Sequence, residues 1–162
     1  MKDWAPLIVA SIAAVVAIFG YLVNGSINRL SERRKAYAQA LADLERLKHL
    51  PYDIRRRPDS STESRARVAA AISEALALVA FHRRWLMLDS ESVSDAYEAL
   101  VAKISDTNVR FRLDALRTEP ATEDHLLHLA DIYTYDDGAE CDACILKMRR
   151  ELGYMHSILR SR

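Results

Sequence analysis

Glycine is scarce in this chain: of 162 residues only Gly20, Gly25, Gly138 and Gly153 are glycine. They lie too far apart to build a phosphate-cradling loop or a dinucleotide-binding fingerprint, each of which needs several glycines within a few residues. A nucleophile elbow is excluded for the same reason, because it needs glycine on both sides of its serine. Strand-like alternation of any useful length is missing as well. So is net charge: 23 basic residues balance 23 acidic ones, which argues against a general nucleic-acid binder. With no catalytic signature in the chain, the expectation is a protein that is not an enzyme.

What is present begins with one stretch. From Trp4 to Val23 the sequence WAPLIVASIAAVVAIFGYLV carries no charge. Twenty helical residues rise ~30 Å, about the hydrocarbon thickness of a bilayer. Lipid offers the backbone no hydrogen-bonding partner, so such a segment must be helical. Trp4 and Tyr21 fall near its ends, where amphipathic rings favour the interface, and Pro6 sits in the first turn, where its missing N–H costs little. A cleaved secretory signal is the rival reading, but such signals have a basic start and an apolar core of roughly 7–15 residues. The expectation is a single-pass anchor over residues 1–25. The small residues Ala10, Ala13, Ala17 and Gly20 share one helical face, which favours self-association.

Charge gives the orientation. Only Lys2 precedes the apolar stretch, whereas Arg29, Arg33, Arg34 and Lys35 follow it. Positive flanks stay in the cytoplasm, so the N-terminus is expected outside and the rest of the chain in the cytoplasm at the cell membrane. These four basic residues are the expected lipid-headgroup contacts, since a cation near an anionic surface gains ~1 kcal/mol.

Residues 26–162 are expected to form one soluble helical-bundle domain, making the whole chain all-α: one N-terminal transmembrane helix followed by a helical bundle. Ile27, Leu30, Tyr37, Leu41, Leu44 and Leu47 mark a helix that should stop at Pro51, because the residue before proline is pushed out of helical geometry. The loop from Pro51 to Thr62 holds Arg55-Arg56-Arg57. Three adjacent arginines suit phosphate, though the commoner outcome is a solvated loop pairing with acids such as Asp53 and Asp59. A helix opened by Ser61 or Thr62 should bury Val68, Ile72, Leu76 and Val79, with Phe81, Trp85 and Leu88 widening the face and His82 at the core edge. The next helix should bury Val93, Ala96, Tyr97, Leu100, Val101 and Ile104, weakened at Thr107-Asn108. Beyond Pro120, Thr122-Glu123-Asp124 reads as a helix start and Asp136-Asp137-Gly138 as a turn. A last helix over roughly Glu140 to Leu159 should carry Ile145, Met148, Leu152 and Met155 on one side.

One constellation has ligand spacing. His125-x-x-His128 and Cys141-x-x-Cys144 each put two side chains on one helical face, and a hairpin between them would assemble a tetrahedral zinc site. Zinc motifs usually run cysteine pair first, and the leucines around the histidines also suit a plain core helix. No cofactor is otherwise expected.

ERRKAYAQAL, LPYDIRRR and FHRRWLMLDSESVSDAYEALV, placed after an N-terminal apolar helix, resemble a group of small actinobacterial single-pass membrane proteins over residues 4 to 105. That resemblance implies architecture and location only, since no activity is assigned to the group. The expected function is therefore a membrane-anchored helical interaction or scaffold protein whose partners are the bilayer and either another protein or a second copy. Two alternatives stay open: a small membrane effector in phage–host conflict, and a zinc- or thiol-dependent regulator built on the C-terminal hairpin.

Overall fold

A computed structural model describes the backbone of residues 4–121 and 133–160, and the side chains of these residues except 5–9, 11, 12, 15, 19 and 154–160. Four helices account for it: α1 Trp4–Arg55, α2 Thr62–Asp89, α3 Glu91–Arg117 and α4 Gly138–Arg160. No strand occurs among the described residues, so the protein is all-α. The chain divides into two units, Met1–Ala36 and Tyr37–Arg162.

The first unit is the start of α1. Between Trp4 and Val23 its described apolar side chains, among them Val16, Ile18, Tyr21, Leu22 and Val23, are exposed on every side of the helix, and the first buried side chain is Leu30. Ser26 donates its hydroxyl to the Leu22 carbonyl at 2.9 Å, so the polar group that follows the apolar stretch is satisfied within the helix. Among the described residues no helix is long and apolar enough to cross a membrane. The span expected over Trp4–Val23 includes nine residues, 5–9, 11, 12, 15 and 19, whose side chains lie outside the described set.

In the second unit the core draws on all four helices. Tyr37, Ala40, Leu44, Leu47 and Leu50 of α1 meet Ala75, Val79 and Leu86 of α2, a run from Val93 to Ile104 on α3, and Cys144 and Met148 of α4. The α1 and α3 contributions recur at steps of three and four residues, the period that keeps an apolar stripe on one face. A single extended residue, Ser90, joins α2 to α3: its N–H bonds the Leu86 carbonyl at 2.9 Å, and its hydroxyl accepts from Val93 at the start of α3. That short connection makes α2 and α3 antiparallel neighbours.

Two expectations fail here. The α2 face is only partly as expected: Val79 is buried and Val68, Ile72 and Trp85 are half-buried, but Leu76, Phe81 and Leu88 are exposed, while Ala75, His82 and Leu86 are buried, so His82 is a core residue and not an edge one. Nor does Pro51 end α1. Proline has no N–H for the carbonyl four residues back, and Leu47 is therefore left with an unclaimed acceptor. Asn108 of α3 fills the gap by donating its side-chain amide to the Leu47 carbonyl at 2.7 Å. The same amide donates to the Tyr135 hydroxyl at 2.8 Å, and Tyr135 donates on to the Lys48 carbonyl at 3.3 Å. With its interrupted ladder satisfied from outside, α1 runs a further turn to Arg55. Asn108, expected to weaken α3, sits buried in an unbroken helix.

Candidate functional site

The corner where α1 ends, α2 begins and α3 finishes is built on the arginine triplet. Arg57 is buried, and its guanidinium donates to the carbonyls of Ile54 at 2.9 Å, Ala115 at 3.0 Å and Thr118 at 2.9 Å. Helix C-termini leave their last carbonyls without intrahelical partners, and one planar cation caps the ends of α1 and α3 together. Arg55 donates to the Glu119 carbonyl at 3.0 Å, while its own carbonyl accepts from Ala121 at 2.8 Å. The triplet was expected to be a solvated run paired with Asp53 and Asp59. No salt bridge among the described residues joins it to either acid. Two of the three arginines are spent on backbone oxygens, and only Arg56 is exposed.

Asp59 has another task. It accepts from the Ser61 backbone at 3.0 Å, and Ser61 in turn caps α2 by accepting from the Ser64 backbone at 3.1 Å. The hydroxyls of Ser61 and Ser64 hold the Asp59 carboxyl down at about 2. The N-terminus of α2 is thus closed by local hydrogen bonds before any ligand is considered.

Between these capped ends lies a cleft of about 270 Å³. Leu50, Ile54, Val68 and Ala71 are its apolar surfaces, and Asp53, Arg56, Arg57 and Arg67 are its charged ones. Arg67 is exposed and pairs with Glu63 at 2.5 Å.

A second polar feature is enclosed. His82 of α2 and Asp43 of α1 meet at 2.8 Å, Nε2 to Oδ2, with side chains only 6 % and 7 % exposed. A carboxylate can only accept here, so Nε2 carries the proton. Gln39 donates to the other Asp43 oxygen at 3.1 Å, whereas His82 Nδ1 has no partner among the described residues. A buried charge is tolerated when paired, and this pair joins α1 to α2 inside the core. The available signal was a titratable residue on the core spacing of each helix: Asp43 between Ala40 and Leu47, His82 between Val79 and Leu86.

The cysteine pair lies at the start of α4, where the Cys141 N–H bonds the Asp137 carbonyl at 2.9 Å. Both thiols are free, Cys141 half-buried and Cys144 buried. Burial pushes both up, Cys144 to about 11, which leaves little thiolate for disulfide exchange near neutrality. His125 and His128, the other half of the expected zinc set, lie outside the described residues. Among those described, no group of three or more His, Cys, Asp or Glu side chains is arranged to hold a metal. The expected headgroup contacts sit on α1, with Arg29, Arg34 and Lys35 exposed and Arg33 half-buried.

An aromatic cluster was missed by sequence reasoning. The Tyr52 hydroxyl donates to the Tyr133 carbonyl at 2.9 Å and the Tyr133 ring stands edge-on to Tyr52, while Phe111 contacts both Tyr133 and Tyr135. Lys48 lies over the Tyr135 ring and bonds Asp137 at 3.0 Å, fastening the start of α4 to α1. No protein-family model, no curated protein and no solved structure matches the chain.

Proposed function

We propose that this chain is a membrane-anchored helical interaction protein with no catalytic chemistry of its own: residues 4–23 hold it in the bilayer, and the bundle from Tyr37 onward engages a protein partner or a second copy. One observation carries the reading. The uncharged start of α1 presents apolar side chains to solvent all the way round, Tyr21 being 81 % exposed and Val16 64 %. A helix that is apolar on every face is covered by lipid or by protein in its working state. Trp4 and Tyr21 near its ends and the basic run after it support a lipid environment, with the bundle on the cytoplasmic side.

The test is extraction and labelling of the full chain. The protein should stay with membranes through high salt and alkaline carbonate, and a cysteine reporter added after Arg162 should be shielded from an impermeant reagent in whole cells. Recovery in the soluble fraction would end the anchor reading, and labelling in whole cells would reverse the orientation.

A further inference from the structure

We propose that the cleft bounded by the last turn of α1, the Arg56–Ser61 connection and the first turns of α2 binds a small amphiphilic phosphate monoester, its head on Arg56 and Arg67 and its apolar tail against Leu50, Ile54, Val68 and Ala71. The inference is independent of the membrane reading and concerns a ligand where that reading concerns location.

The argument begins with what the charges around the cleft are already doing. Arg57 is committed to four carbonyls, those of Ile54, Ala115, Leu116 and Thr118, and fixes the walls. Arg56 bonds only through its backbone N–H, to the Tyr52 carbonyl at 3.0 Å, and its exposed guanidinium makes no hydrogen bond or ion pair among the described residues, so its five donors are kept for an incoming oxyanion. Arg67 makes an ion pair with Glu63 and also faces the charge of Asp59, and an exposed pair of this kind contributes little and is readily exchanged. Against the three arginines of the lining stands one lining acid, Asp53, while Glu63 outside it pairs with Arg67, so an anion that displaces Glu63 meets two guanidinium groups.

Shape narrows the class. Behind the arginines the surface is formed by two residues of α1 and two of α2, all apolar or carrying only a methyl group, which rewards a tail and gives a bare inorganic ion nothing. At about 270 Å³ the space is at the lower end of small-molecule sites, which run roughly 300–1,000 Å³, so the tail is short or only the first carbons of a longer one enter. Two guanidinium groups on separate elements suit a head with three equivalent oxygens better than a carboxylate with two. A phosphate monoester of this form is available both as a lipid headgroup and as a free metabolite.

The experiment is calorimetric titration of the full chain, held in a neutral maltoside detergent, with hexyl phosphate, inorganic phosphate and hexanol. Hexyl phosphate should bind at least tenfold more tightly than either of the others. The double variant R56Q/R67Q should weaken it at least tenfold, with an unchanged thermal melt because both side chains are exposed. R65Q, which removes an exposed charge on α2 that does not line the cleft, should leave binding as it was. Equal affinity for inorganic phosphate, an equal loss in R65Q, or no binding by hexyl phosphate would each overturn the site. Competition with a short-chain phosphatidate assigns the source: displacement of hexyl phosphate supports a lipid ligand at this site, and persistence of hexyl phosphate supports a soluble monoester.

Discussion

The two ends of α1 invert the usual relation between hydrophobicity and burial. Residues 4–23 have no charge, yet every side chain described there is exposed. Residues 37–55 alternate apolar and charged positions, yet Tyr37, Ala40, Leu44, Leu47, Leu50 and Ile54 are buried. Burial in the second stretch comes from apolar residues recurring every three to four positions with three helices to receive them. In the first, apolar residues occupy all faces, and no arrangement of a single helix can hide them. Composition alone would have placed the core at the wrong end.

The sharpest way to break the comparison is one charge in each stretch. Leu44→Asp puts a carboxylate where neighbours from the other three helices converge, and the bundle should unfold, losing more than the ~2–5 kcal/mol of a simple truncation there. Ile18→Asp should leave bundle stability unchanged and release part of the protein from membranes. Circular dichroism and flotation on the two variants give crossed results if the contrast is real, and parallel ones if residues 4–23 are a cryptic part of the fold.

The Asp43–His82 pair sharpens the same point from inside the buried stretch. Removing one partner strands the other: Asp43→Ala should cost ~3–5 kcal/mol in urea unfolding. The paired replacement Asp43→Leu with His82→Leu should recover much of that loss, since an apolar contact of similar size is often as stable as a buried hydrogen-bonded polar pair. If the double variant is as unstable as the single one, the pair contributes more than an apolar contact can.

Much of this architecture was legible from residues alone, because helix faces are written locally. On α3 the face expected from spacing is the buried one: Val93, Tyr97, Leu100, Val101 and Ile104 are buried and Ala96 is half-buried. What escaped was written at long range. Pro51 is a helix breaker until Asn108, some sixty positions away, supplies the missing donor. No local pattern distinguishes Arg57 from its two neighbours, because its role depends on where α3 happens to end. The α2 face was misjudged because alanines dominate that helix and leave its large side chains, Leu76, Phe81 and Leu88, to suggest the wrong stripe. The candidate site was less legible than the fold: its lining runs from Leu50 to Ala71 in one stretch, but which of its arginines is spent on carbonyls and which faces the cleft depends on where α3 ends.

Arg56 and Arg57 give a smaller test on adjacent positions. Charge-assisted hydrogen bonds contribute roughly 1.5–3 kcal/mol, so Arg57→Ala should lower bundle stability by about that much and fray the ends of α1 and α3 in hydrogen exchange. Arg56→Ala should fall within ~0.5 kcal/mol of the parent, as exposed substitutions do. Equal losses would mean that the triplet acts by summed charge and that the carbonyl cap is incidental.

The smallest effect at neutral pH belongs to Cys144. Its thiol ordinarily ionises near 9.0, and burial in the core raises it to about 11. Below 9 both folded and unfolded chains hold the proton, so the shift contributes its full stability and nothing changes with pH. Above 9 the unfolded chain gives up the proton first, and stability falls until the folded thiol also ionises near 11. Tyr133, held at about 12 by burial and the nearby Asp114 carboxylate, extends the loss further into alkali. Thermal melts between pH 8 and 11 should therefore decline, and Cys144→Ala should flatten the part of that decline between 9 and 11 at a modest cost in neutral stability. Cys141, half-exposed, should react with iodoacetamide well before Cys144 in the native protein and at a comparable rate in urea. If the alkaline slope survives Cys144→Ala unchanged, the thiol is not the group that loses its proton on unfolding, and the tyrosines carry the whole of the effect.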